Sequence, residues 1–149
     1  MFTHILVPLD GSAFSETALE PALSLGEKYG AKVTLFTVML RIPASRLHVP
    51  LYDQQSEERG RHYLEEIRTA RGQASPVPID IVVRLGTPAE SIAAFALEAQ
   101  ADLIVMSTHG TTGIDRSRPT LGSTAWKLMH HPPCPILLLG ADYAGYRPR

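Results

Sequence analysis

Residues 5–12 read Ile-Leu-Val-Pro-Leu-Asp-Gly-Ser, and this stretch sets the expected fold class of the chain. Its short apolar run ends at Pro8 and is typical of a fully buried parallel strand. Beyond the polar Asp10-Gly11-Ser12, apolar residues recur at steps of three and four, which predicts one face of a helix. Ser12 is a suitable N-cap for that helix and Gly30 a suitable end, while Pro21 should kink or split it.

The same order of strand and helix continues along the chain. Buried strands are predicted at residues 32–38, 79–85, 103–106 and 135–139, with helical patterns between them. The capping box Thr87-Pro88-Ala89-Glu90 opens one helix, and another is predicted over residues 123–130. A weaker helical pattern ends at Gly72, and Arg41 to Gln55 is expected to form a long loop.

These strands are too apolar to alternate, which calls for a parallel sheet that is covered by helices on both faces. We therefore predict an α/β fold in a single domain, residues 1–149. Its ordered core is expected to end at about residue 141, before a short Arg-containing C-terminal tail.

Composition and charge exclude several classes of function. Hydrophobic residues make up 44% of the chain and charged residues 19%, which is ordinary globular usage. The formal net charge of −1 provides no basic field to hold a nucleic acid or an anionic membrane. Cys134 is the only cysteine, which excludes an internal disulfide and a thiolate zinc cluster. Neither a signal peptide nor an apolar run of membrane length is recognisable, so we expect a cytoplasmic location.

Two polar segments lie where strands are predicted to end, and ligands of open α/β sheets bind outside the carboxyl ends of the strands. Asp10 follows the first strand, where its carboxylate can accept hydrogen bonds from ribose hydroxyls or, with Ser12, cap the first helix. The residues alone leave these two roles about equally open. The second segment, residues 107–113, is rich in Ser, Thr and Gly, and Gly122-Ser123 then opens a helix. Exposed backbone N–H groups of this kind bind phosphate oxygens.

The motifs of several enzyme classes are missing from the sequence. It contains no Walker Gly-Lys-Ser/Thr, no Gly-x-Gly-x-x-Gly and no Gly-x-Ser-x-Gly nucleophile elbow. His130 and His131 are adjacent, so their side chains diverge on a helix and do not pair as metal ligands. We expect no metal site built from protein ligands alone. No general base is evident either, so any hydrolytic activity should be slow.

Four segments together resemble the universal stress protein family over nearly the whole chain: residues 5–12, 105–110, 122–123 and 134–139. The resemblance implies a Rossmann-like, open five-stranded parallel sheet of order 3-2-1-4-5 and a homodimer formed through the last strand. It also implies a nucleotide-binding pattern of Gly-x-x-Gly, nine residues, then Gly-Ser/Thr. Here Ser107 stands in place of the first glycine, and eleven residues separate Gly110 from Gly122.

Carried over to this chain, the resemblance implies an ATP site, with any Mg²⁺ carried by the nucleotide. The residues it assigns to the ligand are Pro8, Leu9, Asp10, Val38, Met106, Ser107, Gly110, Gly122, Ser123 and Thr124. Arg116 and Arg118, in the lengthened loop, are our own candidates for neutralising phosphate charge. Serine suits the position of the first glycine only if φ is not positive there.

Three functional hypotheses remain at this point. The first is a homodimeric ATP-binding protein of the stress response, whose surface changes for a partner when the nucleotide is bound. The second is a nucleotide-free interaction protein of the same family, which Ser107 and the lengthened loop favour. The third is a slow ATPase or nucleotidyl transferase, and the lack of a general base counts against it.

Overall fold

The computed structural model describes residues 1–40, 50–109 and 121–140, in which strands and helices alternate. In chain order the elements are β1 (His4–Pro8), α1 (Ala13–Glu16), α2 (Leu19–Tyr29), β2 (Lys32–Met39), α3 (Pro50–Gly72), β3 (Ile79–Leu85), α4 (Pro88–Glu98), β4 (Leu103–Ser107), α5 (Ser123–His130) and β5 (Ile136–Leu139).

The five strands form one sheet in the order β3-β2-β1-β4-β5, and every neighbouring pair is parallel. The chain builds β2 and β3 on one side of β1 and then crosses back to place β4 and β5 on the other. The strand order therefore reverses between β1 and β4. This arrangement confirms the predicted open parallel sheet of order 3-2-1-4-5.

Both faces of the central strands β1 and β4 are buried, which explains why these two strands do not alternate between apolar and polar residues. Ile5 and Val7 of β1 belong to a core that packs against α2 and α3. Leu6, between them, belongs to a second core with Phe36 and with the buried faces of α4 and α5. Successive residues of the strand thus serve opposite layers, as the pleat requires.

The first helical segment begins and ends as expected. The Ser15 N–H donates to Ser12 Oγ at 3.1 Å, which makes Ser12 the N-cap of α1. At the other end, Gly30 caps α2 with a left-handed φ of 67°, which favours glycine. The segment is split between α1 and α2, and Pro21 lies in the first turn of α2. No intrahelical N–H is needed there, so the proline costs the helix little.

Two local predictions are wrong. The predicted loop from Arg41 to Gln55 is helical from Pro50 onward, because α3 begins there and continues to Gly72. Proline at a first helical position has a φ that is already suited to the helix. Residues 41–49 lie outside the described ranges. Thr87 is the N-cap of α4, but its side chain makes no capping hydrogen bond. The helix begins at Pro88 as predicted, without the side-chain hydrogen bond from Thr87 that a capping box requires.

A buried polar cluster lies at the amino-terminal edge of the sheet. His4 Nδ1–H donates to the Ala99 carbonyl at 3.0 Å, and the Thr34 hydroxyl donates to His4 Nε2 at 2.8 Å. Burial lowers the pKa of His4, so the neutral ring is favoured. Burial alone would raise the pKa of Asp102. Hydrogen bonds from Thr3 and from the His4 N–H outweigh it and lower that pKa.

Candidate functional site

A cavity of about 400 Å³ opens at the carboxyl-terminal edge of the sheet, where the strand order reverses. It is bordered by the ends of β1, β2 and β4 and by the starts of α4 and α5. The predicted site residues that line it are Pro8, Leu9, Asp10, Val38, Met106, Ser107, Gly122, Ser123 and Thr124. Gly110, Arg116 and Arg118 lie outside the described residues. The fold thus brings segments that are far apart in sequence to one concave surface.

The loop after β1 is held to β2 by backbone and side-chain hydrogen bonds. The Leu9 N–H donates to the Phe36 carbonyl at 2.7 Å, and the Thr37 hydroxyl donates to the Leu9 carbonyl at 2.8 Å. Asp10 Oδ1 accepts from the Ser12 N–H at 2.9 Å and from the Ser12 hydroxyl at 2.6 Å. Ser12 is therefore the helix cap, and Asp10 positions Ser12 while it lines the cavity. The two roles left open by the sequence are compatible.

Ser107 ends β4 and is buried. Among the described non-glycine residues, Gln100 is the one with a positive φ, so serine is unstrained at position 107. The Ser107 hydroxyl donates to the His109 carbonyl at 2.6 Å. In this conformation, the Ser107 hydroxyl stabilises its own loop, because it donates its proton to a backbone carbonyl.

Backbone hydrogen bonds of Thr108 and Gly122 hold the end of β4 to β5 and to the residue before α5. The Thr108 N–H donates to the Leu139 carbonyl at 2.9 Å, and the Thr108 carbonyl accepts from the Gly122 N–H at 2.8 Å. A Cβ atom added to Gly122 would lie 3.0 Å from the Thr108 oxygen. Glycine is favoured here because the two backbones approach so closely, whereas its φ of −58° is open to any residue.

The cavity has a polar end and an apolar end. At the polar end, Gly122 precedes α5, whose first turn carries no acidic side chain. The first N–H groups of a helix have no partner within it and bear a partial positive charge, which suits an anion. The apolar end is lined by Phe36, Val38, Leu40, Ile92 and Met106. Such a surface can accept a flat heteroaromatic ring.

Reasoning from the sequence missed one complete wall of the cavity. This wall is the start of α4, which contributes Thr87, Pro88, Ala89 and Ile92. The signal was present, because a helix that follows a parallel strand begins at the carboxyl edge of the sheet, where ligands bind. Lys127 of α5 and Ser15 of α1 were also missed. His109, within the predicted polar segment 107–113, lines the cavity too, and its ring lies edge-on to that of Phe14 at a centroid distance of 6.0 Å.

A hydrogen bond links α1 to α3. The Tyr63 hydroxyl donates to Glu16 Oε1 at 2.9 Å, and burial together with this bond raises the pKa of Tyr63.

Within residues 1–40, 50–109 and 121–140, no three His, Cys, Asp or Glu side chains are grouped as metal ligands. None of the helices described there is long and apolar enough to cross a membrane. The cavity itself is suited to binding a ligand that has a ring, hydroxyls and an anionic group.

Comparison with known proteins gives consistent results. The sequence profile of the universal stress protein family matches residues 1–140. The universal stress protein MJ0531 of Methanocaldococcus jannaschii is 30% identical over 143 residues, which are 93% of this chain and 82% of that protein. The fold matches that of hypothetical protein MJ0577 with a TM-score of 0.84 at 22% identity, over 95% of this chain and 98% of the other. A universal stress protein in complex with cAMP gives 0.68 at 22% identity, over 95% and 98%.

Proposed function

The chain belongs to the universal stress protein family, and we propose that it is a cytoplasmic protein of the stress response that binds ATP in this cavity. Nucleotide binding would favour one conformation and so change the surface that a partner meets. The observation that carries the proposal is the convergence of the predicted residues from β1, β2, β4 and α5 on one cavity at the switch point of the sheet.

The two ends of the cavity suit the parts of an adenine nucleotide. The apolar end around Val38 and Met106 fits the adenine ring, and the Asp10 carboxylate can accept hydrogen bonds from ribose hydroxyls. The backbone N–H groups at the start of α5 face the phosphates. Mg²⁺, where it accompanies ATP, would be held by phosphate oxygens. The cAMP complex of a universal stress protein with this fold supports the same class of ligand.

A second candidate is an interaction protein of the same family that binds no nucleotide. Ser107 favours it, because its hydroxyl donates to the His109 carbonyl where the family pattern has a glycine. The eleven residues between Gly110 and Gly122, two more than the pattern, favour it as well.

The test is to denature the purified protein, identify any released nucleotide by mass spectrometry, and titrate ATP into the emptied protein by calorimetry. We expect stoichiometric nucleotide or micromolar ATP binding, and Asp10→Ala should weaken it about 10- to 100-fold because it removes a charged acceptor. Asp10→Asn retains an acceptor for Ser12 and should lose less affinity. Asp80→Ala, on β3, is the control and should bind as the wild type does. No released nucleotide and no binding heat at millimolar ATP would establish the second candidate instead.

We further propose that the protein is a homodimer that pairs through β5. This strand lies at the edge of the sheet, and its Leu137 side chain is 37% exposed. An exposed apolar edge strand is a ready template for pairing with another chain. Light scattering after size exclusion should give twice the chain mass. Leu137→Glu should give the monomer mass, and Leu97→Glu, at an exposed leucine of α4, should leave the dimer intact. A monomeric wild type at tens of micromolar would refute the dimer.

A further inference from the structure

Lys127 lies on α5, and its side chain borders the cavity. Among the lining residues that the structure describes, Lys127 is the one lysine or arginine and Asp10 is the one aspartate or glutamate. We propose that Lys127 leaves its ion pair with Glu90 to bind the phosphates of the ligand, and that it thereby selects phosphorylated nucleotides over neutral nucleosides. This inference rests on the proposed nucleotide site.

The position of Lys127 on the helix directs it toward the start of α5. It follows Ser123 by four residues, so the two lie on the same face, about 6 Å apart along the helix axis. Side chains on a helix lean toward its N-terminus and cover the preceding turn. A lysine is long enough to place its ammonium group beside an anion held by the first N–H groups of α5.

The ion pair that Lys127 makes in the unliganded protein is weak. Lys127 Nζ lies 3.9 Å from Glu90 Oε1, and the two side chains are 60% and 64% exposed. Exposed pairs with such a separation contribute little, because water and salt screen them. A di- or triphosphate offers more negative charge than one carboxylate, and lysine binds phosphate as a compact point charge. Exchange of Glu90 for phosphate is therefore favourable.

The distribution of charge in the cavity also gives the ligand one orientation. Asp10 lies on the loop after β1 and repels phosphate, whereas Lys127 lies on α5 and attracts it. The electrostatic contribution to the affinity of a nucleotide is largest when its sugar lies at Asp10 and its phosphates lie at α5. Adenosine has the same base and sugar without the charge, so it gains nothing from Lys127.

The experiment compares ATP and adenosine binding by calorimetry in wild type, Lys127→Met, Glu90→Gln and Lys32→Met. Lys32 is the matched control, because it is an exposed lysine at the start of β2 that lies 4.0 Å from Asp80. Lys127→Met should weaken ATP binding about fivefold or more and change adenosine binding less than about twofold. Glu90→Gln removes the competing carboxylate and should strengthen ATP binding about two- to threefold. Lys32→Met should bind both ligands as the wild type does.

ATP binding in Lys127→Met equal to that of the wild type would overturn the inference while leaving the nucleotide site intact. An equal loss for ATP and adenosine would also overturn it, because Lys127 would then act on the shape of the cavity. Unchanged or weaker ATP binding in Glu90→Gln would refute the exchange with Glu90. A wild type that binds neither ligand would defeat the proposed function itself, and this inference with it. Melting curves establish that each variant is folded.

Discussion

Replacing Gly122 by alanine tests whether the close approach of two backbones holds the polar end of the cavity together. The new Cβ would lie 3.0 Å from the Thr108 oxygen and 3.5 Å from His109 Cα. Both neighbours are backbone atoms, so no flexible side chain can move aside. The φ of −58° and ψ of 149° at Gly122 suit alanine, so the backbone itself is not strained.

The cost of this substitution has two sources. Relief of the contact must shift the Thr108 carbonyl or the start of α5 by a few tenths of an ångström, which loosens the 2.8 Å hydrogen bond from the Gly122 N–H. Overpacking of this kind costs about 1–3 kcal/mol. Alanine is also a poorer N-cap than glycine, by roughly 0.5 kcal/mol. For a domain of this size the two costs together, roughly 1.5–3.5 kcal/mol, correspond to a fall in Tm of about 3–14 °C.

The assay is thermal unfolding followed by circular dichroism, with and without ATP. Gly140→Ala is the control, because its Cβ would meet nothing within 4 Å and should leave Tm within about 1 °C of the wild type. If ATP binds as proposed, the stabilisation it provides should shrink in Gly122→Ala, as expected for an affinity that is about tenfold lower.

Gly122→Ser separates the two sources of cost. Serine restores a good N-cap but carries the same Cβ, so a steric origin predicts a Tm near that of Gly122→Ala. Recovery of the wild-type Tm in Gly122→Ser would show that capping alone is involved. A Gly122→Ala protein as stable as Gly140→Ala would refute the reasoning entirely.

Three further substitutions test the fold away from the cavity. Gly60→Ala would place a Cβ 3.0 Å from Val83 Cγ1 in the contact between α3 and the sheet, and in urea unfolding it should be less stable than Gly72→Ala by about 1–3 kcal/mol. Gly72→Ala meets open space and should be neutral or stabilise by up to about 1 kcal/mol, so equal stabilities of the two variants would contradict the packing argument. Because the pKa of His4 is lowered, its contribution to stability is complete above the ordinary value of 6.5 and is lost as the pH falls below it. His4→Gln should therefore lose less stability than the wild type between pH 7 and pH 5, and an unchanged pH dependence would contradict that account.

The fold was predictable because most of its signals are local. The central strands β1 and β4 are short apolar runs that are buried on both faces of the sheet. Ser12 and Gly30 mark helix ends by their own conformational preferences. The start of α3 was not predictable in the same way. Its first residues show no apolar period, and proline occurs in loops as well as at the first helical position, so the local sequence does not distinguish the two.

The site was predictable where a recognisable motif marks it, and it was missed where only the fold does. Asp10 and Gly122 belong to short patterns, whereas Thr87 and Ile92 looked like the start and the core of a helix. Lys127 is an ordinary exposed lysine in the sequence, and no local feature distinguishes it from Lys32. The difference is positional, because α5 begins at the edge of the sheet where the cavity opens and β2 begins at the opposite edge.

The two edges of the sheet have separate tasks, which follows from the parallel arrangement of the strands. Every strand begins at one edge, where His4, Thr34 and Asp102 form a closed set of hydrogen bonds. Every strand ends at the other edge, where loops and helix starts leave backbone N–H groups without partners within their helices. Polar groups that form hydrogen bonds within the protein stabilise the fold, whereas N–H groups without such partners are available to bind a ligand. A parallel sheet thus concentrates binding capacity at its carboxyl edge, and substitutions at the amino edge should alter stability without altering what the cavity binds.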